Sequence, residues 1–330
     1  MIDLLRNKKT ISIVGMAKNV GKTTTLNYLI EKSKHLNIGL TSIGYDGEMI
    51  DQVTKTKKPG IYVKRGTVIA TAKDCLKQSD FTIEVLQTSG INTPIGEVII
   101  VRALSDGYCL LSGPSLKEQI KVVVNDMKRY DVDQIFIDGA ISRKGMADVT
   151  LSDATILCTG KALAYDLDEV IKQTVFVSEL FSLPRYKINQ EDLFINGPIV
   201  IEDLEGLIYT ANCQSALNYQ SILKSLDCQV KSIFIKGAVT NELIKGLLNK
   251  QALWKELNLV IQHGANCFIS PNVYEQMKRS KIKLYCLDPI ELIAITINPY
   301  DPYGINVDSN DFKIRLQNRV SVPVIDVMGE

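Results

Sequence analysis

Histidine is almost missing from this chain: His35 and His263 are the only two in 330 residues. Chemistry that rests on a histidine pair therefore has almost no material. The seven cysteines (Cys75, Cys109, Cys158, Cys213, Cys228, Cys267 and Cys286) are odd in number and form no C-x-x-C pair. That argues against a metal cluster and fits reduced, mostly buried thiols in a cytoplasmic protein. An excess of one charge is also missing, with 38 basic against 37 acidic side chains and a formal net charge of +1. So balanced a chain has no whole-molecule attraction for nucleic acid or an anionic membrane, and neither is expected as a partner. No apolar run approaches the length of a membrane span, and Met1–Lys9 holds no signal-peptide core.

What remains is ordinary globular material, 45% apolar and 23% charged, in a chain long enough for one large or two medium domains. Its most informative stretch is Gly15-Met16-Ala17-Lys18-Asn19-Val20-Gly21-Lys22-Thr23. A β-type run, Thr10–Val14, precedes it, and the helical-looking Thr24–Ile30 follows. A glycine-bearing loop between strand and helix, closed by Gly-Lys-Thr, is suited to holding nucleotide phosphates. Loop amides and the helix N-terminus supply partial positive charge. Lys22 would reach the β- and γ-phosphates and Thr23 would place its hydroxyl on Mg²⁺. Gly15, Lys18, Asn19, Val20, Gly21, Lys22, Thr23 and Thr24 are therefore the candidate ATP-binding residues. Five residues separate Gly15 from Gly21, where the common pattern has four between its glycines.

The first third reads β–loop–α–β, with a second strand over Asn37–Gly44. Residues 60–113 then become β-rich, with short runs at 61–63, 67–70, 81–86 and 97–102. A helix is expected over Ala70–Gln78 and a hairpin at Asp106-Gly107. Ser115 and Glu118 offer a cap for a helix whose apolar residues recur at 116, 120, 123, 124 and 127. Gln134–Gly139 and Ala154–Gly160 read as buried strands, and Leu167–Phe181 as a helix. Strands ending in Gly or Asp and alternating with helices predict a mostly parallel sheet with ligands at its carboxyl edge. The expected domains are 1–185, nucleotide-binding with a β-rich insertion at about 60–113, and 186–330, a second α/β domain for a partner or substrate. Strands in the second are expected at 198–202, 232–237, 257–262 and 282–287, with helical segments near 213–226, 240–256 and 271–280. The stretch Asn298–Gly304 is proline- and aromatic-rich, hence extended, and is expected to pack along its own domain in preference to docking a partner.

Asp138 ends an apolar strand, where a carboxylate can hold Mg²⁺ through water. Asp46 ends the second strand and is the other candidate for metal and catalysis, with Glu48 behind it; a solvated Asp-Gly turn explains Asp46 equally well. The catalytic set is thus Lys22, Asp46 and Asp138, and the metal set Thr23, Asp46 and Asp138. Arg102, Arg143 and Lys144 read as surface charges. Gly160-Lys161 lies at an edge where bases are often held. No Asn-Lys-x-Asp motif is present, which favours ATP over GTP. His263 reads as a loop histidine satisfied locally, and Thr240 or Asn241 as a helix cap.

The loop resembles that of dethiobiotin synthetase and its relatives, which reads Gly, five residues, then Gly-Lys-Thr, often with Val before the second Gly. That class carries a carboxylate at the place of Asp46. The wider MinD/signal-recognition class often has a second loop lysine, but Lys18 lies four before Lys22 where that class usually has five. No intersubunit role is carried over to it, and a homodimer stays open. Over Ile13–Thr25, Thr41–Glu48 and Phe136–Ala140 the chain resembles the small P-loop subunit of the reactivase for adenosylcobalamin-dependent lysine aminomutase. The resemblance implies an ATP-driven protein that works with a larger ATPase to release damaged cobalamin from the aminomutase. The alternative is a dethiobiotin-synthetase-like ligase or kinase acting on a small carboxylate. ATP held structurally, without turnover, is the third.

Overall fold

The computed structural model describes residues 1–44, 60–140, 152–189, 193–211, 213, 215, 217–301, 304 and 306–329. They divide into two compact units, one of 1–175 with 291–330 and one of 176–290. The fold class is α/β, as expected from the alternating strands and helices.

The first unit runs β1 (Thr10–Gly15), α1 (Lys22–Lys32), β2 (Ile38–Ser42), β3 (Ile61–Val63), β4 (Val68–Ala72), α2 (Lys73–Leu76), β5 (Ile83–Thr93), β6 (Gly96–Ala103), β7 (Gly107–Cys109), α3 (Lys117–Met127), β8 (Gln134–Ala140), β9 (Ala154–Gly160) and α4 (Leu167–Phe181). The division falls within α4, and from Phe176 the chain builds the second unit. That unit comprises β10 (Ile199–Asp203), β11 (Ile208–Thr210), α5 (Tyr219–Lys224), β12 (Val230–Ile235), β13 (Val239–Thr240), α6 (Asn241–Asn249), β14 (Leu257–Ile261), β15 (Cys267–Phe268), α7 (Pro271–Lys278) and β16 (Ile282–Cys286). The chain then returns to the first unit with β17 (Leu292–Asn298), α8 (Ser309–Gln317) and β18 (Val324–Ile325).

Among the described residues, the first unit's main sheet has nine strands in the order β18-β17-β9-β1-β8-β2-β4-β6-β5. From β18 to β4 every pairing is parallel, whereas β6 pairs antiparallel with both β4 and β5. The interior strands β1, β2 and β9 are buried at every residue. Their uninterrupted apolar runs follow from having both faces of a parallel sheet covered. The edge strand β5 is half-exposed along its length, as an edge strand must be to stay soluble. The β-rich insertion thus widens the parallel sheet on its β2 side.

Three local expectations are not met, two of them because strand pairing prevails. The helix expected over Ala70–Gln78 shrinks to α2, because Ala70, Thr71 and Ala72 pair with Ile100, Ile99 and Val98 of β6 and are fully buried. The hairpin expected at Asp106-Gly107 does not form, since β7 pairs with β3 instead. Asp106 serves that pairing: its carboxylate accepts the Arg65 amide at 2.8 Å and the Tyr62 hydroxyl at 2.7 Å. These bonds, the amide's first, hold its carboxyl below the ordinary range. The actual hairpin joins β5 to β6 across Pro94-Ile95, with Thr93 opposite Gly96. Helix α3 is capped by position at Leu116 with no side-chain cap, so the expected Ser115–Glu118 box is not made.

The division of the chain also departs from the expected boundary at 185/186. Residues 291–330 were expected in the second domain, but β17 runs parallel to β9, with Thr296 opposite Cys158 and Asn298 opposite Gly160. A 40-residue segment cannot leave a sheet whose interior it completes without exposing an apolar strand. The second unit has its own five-stranded sheet, order β11-β10-β12-β14-β16, parallel from β12 to β16 and antiparallel at β10 and β11. Its core gathers Ile201, Ile233, Leu259, Leu243, Leu247, Trp254 and Met277. Among the described residues, no helix is long and apolar enough to cross a membrane.

Candidate functional site

The site is built where the chain order of the parallel sheet reverses. From β1 the chain crosses through α1 to β2 on one side; from β9 it reaches β17 on the other. The crevice at such a reversal, outside the carboxyl ends of the strands, is where open α/β sheets hold ligands. The loop 16–21 leaves β1 at that point.

Its shape is set by small residues and two left-handed positions. Gly15 is tight against the loop it feeds, since a Cβ there would lie 3.2 Å from Val20 Cγ2. The Met16 amide donates to the Cys158 carbonyl at 3.0 Å, so the loop is pinned to β9 as it departs. Asn19 has φ of 62° and Gly21 φ of 84°. Left-handed backbone costs a non-glycine residue roughly 1–2 kcal/mol, and Asn tolerates it best. Left-handed residues alternating with others form the concavities in which backbone amides meet anions. Val20, between them, is 1% exposed and plugs the loop to the core.

Helix α1 begins directly at Lys22. Gly21 is its N-cap, with no side-chain cap and no acidic residue in the first turn. The first turn of this 11-residue helix thus supplies no carboxylate of its own at the end where negative charge is favourable. One turn in, the Thr25 hydroxyl meets the Thr296 hydroxyl at 2.9 Å, and Cys158 Sγ lies 3.6 Å from Thr25 Oγ1. Burial pushes the Cys158 thiol up to about 11, so this buried cluster carries no charge and acts as an anchor for the helix.

The Lys22 ammonium lies 3.2 Å from Asp138 Oδ1, with the two side chains only 14% and 11% exposed. Asp138 is held by β8, where it pairs in register with Ile13 of β1 and Ser42 of β2, and its carbonyl accepts the Ile43 amide at 2.9 Å. The loop's cation and the strand's carboxylate are thus brought together at the sheet's carboxyl edge. Thr23 and Thr24 are partly exposed on the first turn of α1, and the Lys18 side chain is exposed. Asp46 and Glu48 lie outside the described residues, as do Arg143 and Lys144. Arg102 is not at this edge; it sits on β6, 3.4 Å from Glu84.

Two features of the edge escape a local reading of the sequence. Asn298, the last residue of β17, donates from Nδ2 to the Asn19 carbonyl at 2.7 Å. Lys161, 7% exposed, pairs with Asp301 at 3.0 Å and so ties the stretch after β17 to the end of β9. The signal for both was the run Leu292–Asn298, as apolar and β-branched as Gln134–Gly139, which marks a buried strand. Asn298–Gly304 was expected to pack along the domain 186–330, but Asp301 pairs with Lys161 of the first unit.

In the second unit, His263 is 4% exposed and its carbonyl accepts the Asn266 amide at 2.9 Å. Thr240 is the N-cap of α6 by position, with no side-chain bond to a backbone amide of the helix. A polar group there joins the Tyr186 hydroxyl to Glu202 (2.9 Å) and Ser232 (2.8 Å), with Lys231 2.7 Å from Glu202. Desolvation pushes the Tyr186 phenol up, and every member has a partner. Among the described residues, no group of three or more His, Cys, Asp or Glu is placed to hold a metal.

No family model, no curated protein and no solved structure matches this chain.

Proposed function

We infer that the first unit binds a nucleoside triphosphate, ATP in preference to GTP, and hydrolyses it with Mg²⁺. The single observation that carries this is the nearly buried Lys22–Asp138 pair beside the 15–23 loop. Desolvating two charges is costly, and well-packed apolar residues in their place are often as stable, so stability alone is a poor reason to keep the pair. A loop with an uncapped helix end and one ammonium is a site for a polyanion. In it Lys22 neutralises phosphate oxygens, while the first-turn amides of α1 donate to them.

The donor set also suits the metal. The Thr23 hydroxyl and the Asp138 carboxylate are hard oxygen donors, and Mg²⁺ prefers few protein ligands together with water and phosphate. Bound there, the ion would spread the charge of the phosphates during transfer. Asp138 would hold the ion through its water shell, and Lys22, now 3.2 Å from Asp138, would be the group that faces the phosphates.

Asp138→Asn tests this division of labour. Binding of ATP should stay within about threefold of the parent, because Lys22 and the loop amides are intact. Steady-state hydrolysis should fall by roughly 10- to 150-fold, the range for losing a hydrogen bond to a charged group. Hydrolysis at the parental rate with normal Mg²⁺ dependence would remove Asp138 from the site.

The narrower reading, an ATP-driven reactivase for an adenosylcobalamin-dependent aminomutase acting with a larger ATPase, rests on the sequence resemblance. It is tested by adding this protein, the larger ATPase, ATP and coenzyme to inactivated aminomutase. Recovery of turnover supports it, and no recovery leaves the ligase or kinase reading in front.

A further inference from the structure

We propose that Asn298 positions the phosphate-binding loop, setting the turn at Asn19–Gly21 from the end of β17; this rests on the nucleotide reading above. Strand β17 is not a neighbour of β1, since β9 lies between them. Asn298 nevertheless reaches the loop, because its register partner on β9 is Gly160. A Cβ on Gly160 would stand 2.8 Å from the Asn298 carbonyl oxygen, 2.9 Å from its Cβ and 3.2 Å from Val20 Cα. A Cβ on Gly21 would stand 3.1 Å from Asn298 Cβ. Two glycines on different elements therefore clear the space through which this one side chain meets the loop.

Both ends of its amide are used. Nδ2 donates to the Asn19 carbonyl at 2.7 Å, and Oδ1 accepts the Tyr300 amide at 3.2 Å. The bond lands on the left-handed residue Asn19, one of two non-glycine residues with positive φ among those described. A strained turn persists only where its surroundings hold it. Here the holding group comes from the strand by which the chain re-enters the first unit after residue 290. Asn298 touches no phosphate in this account; it acts through the backbone that does.

Two variants separate a hydrogen-bonding role from space filling. Asn298→Asp keeps the size and the acceptor for Tyr300, but turns a carboxylate oxygen towards the Asn19 carbonyl. Asn298→Ala removes the donor and leaves a gap. The proposal expects the KM for ATP to rise about tenfold in Asn298→Asp and about fivefold in Asn298→Ala, with kcat within about twofold in both. Space filling alone expects the reverse order, with Asn298→Asp close to the parent, and that result would overturn the proposal. Should Asn298→Asp fail to fold, the similarly sized Asn298→Leu, which fills the space without a donor, decides: a KM close to the parent's overturns the proposal and a rise of about fivefold supports it. Parental protein that binds no ATP would sink the nucleotide reading itself. Parental binding that is lost in Lys22→Ala but kept in both Asn298 variants would sink this inference alone.

Discussion

Lys22→Ala should bind ATP roughly 10- to 150-fold more weakly than the parent, and should show no measurable hydrolysis. The lower bound is the worth of one charge-assisted hydrogen bond, about 1.5 kcal/mol, and the upper bound corresponds to about 3 kcal/mol. The variant also has a second effect that could be mistaken for the first. Asp138 is left with its side chain 11% exposed and its ammonium partner gone. Removing one member of a buried pair can cost 3–5 kcal/mol where burial is complete, because the other charge stays desolvated. Lys22→Ala should therefore unfold at lower denaturant than the parent. The double variant Lys22→Ala/Asp138→Asn removes both charges and should regain most of that stability without regaining affinity. Restored stability with lost affinity assigns Lys22 to the ligand. Parental affinity in either variant would take the loop out of the account.

Gly113→Ala should lose about 3 kcal/mol of stability or more, although it adds a single methyl group. The Cβ would run into the Ser42 carbonyl, and the obstructing atom is backbone, which cannot rotate away as a flexible side chain can. Ser42 is the last residue of β2, in register with Asp138, and the chain there is clamped on both sides. The Gly113 amide donates to the Gly44 carbonyl at 3.1 Å, and the Gly44 amide to the Pro114 carbonyl at 3.0 Å. Relief of the clash must part this clamp or push β2 away from β8. Gly139→Ala is the contrast within the same sheet. Its Cβ would find the Ile13 carbonyl oxygen at 3.6 Å, an ordinary contact, and should change stability by less than about 1 kcal/mol. Denaturant midpoints for the two variants check this pair. Equal midpoints would mean that the 113–114 crossing over Ser42 is placed wrongly.

Much of the first unit could be read locally, for a physical reason. The strands at 10–15, 134–139 and 154–160 are buried on both faces, so burial demands an unbroken apolar run that any window detects. The loop's place between strand and helix was legible because Gly15 closes β1 and Gly21 opens α1 directly before Lys22. Leu292–Asn298 has the same apolar texture, yet texture does not say which sheet a strand joins. Its partner Ala154–Gly160 lies on the far side of the whole second unit in sequence, and that distance hid Asn298 and the Lys161–Asp301 pair. The Asp106-Gly107 turn misled for a related reason. Its residues satisfy turn chemistry, but the Asp106 carboxylate spends its bonds on Tyr62 and Arg65, in a different strand pair from the one the turn suggests. Asp46, the third member of the expected catalytic set, lies outside the described residues, so Lys22 and Asp138 carry the site.

The most direct measurement is a calorimetric titration of the parental protein with ATP, ADP and AMP, each in the presence of Mg²⁺. If backbone amides between residues 15 and 23 enclose the phosphate tail, with the Lys22 ammonium against it, affinity should fall stepwise as phosphates are removed. AMP should then bind at least tenfold more weakly than ATP. No heat with any of the three, or equal affinity for ATP and AMP, would contradict the central claim.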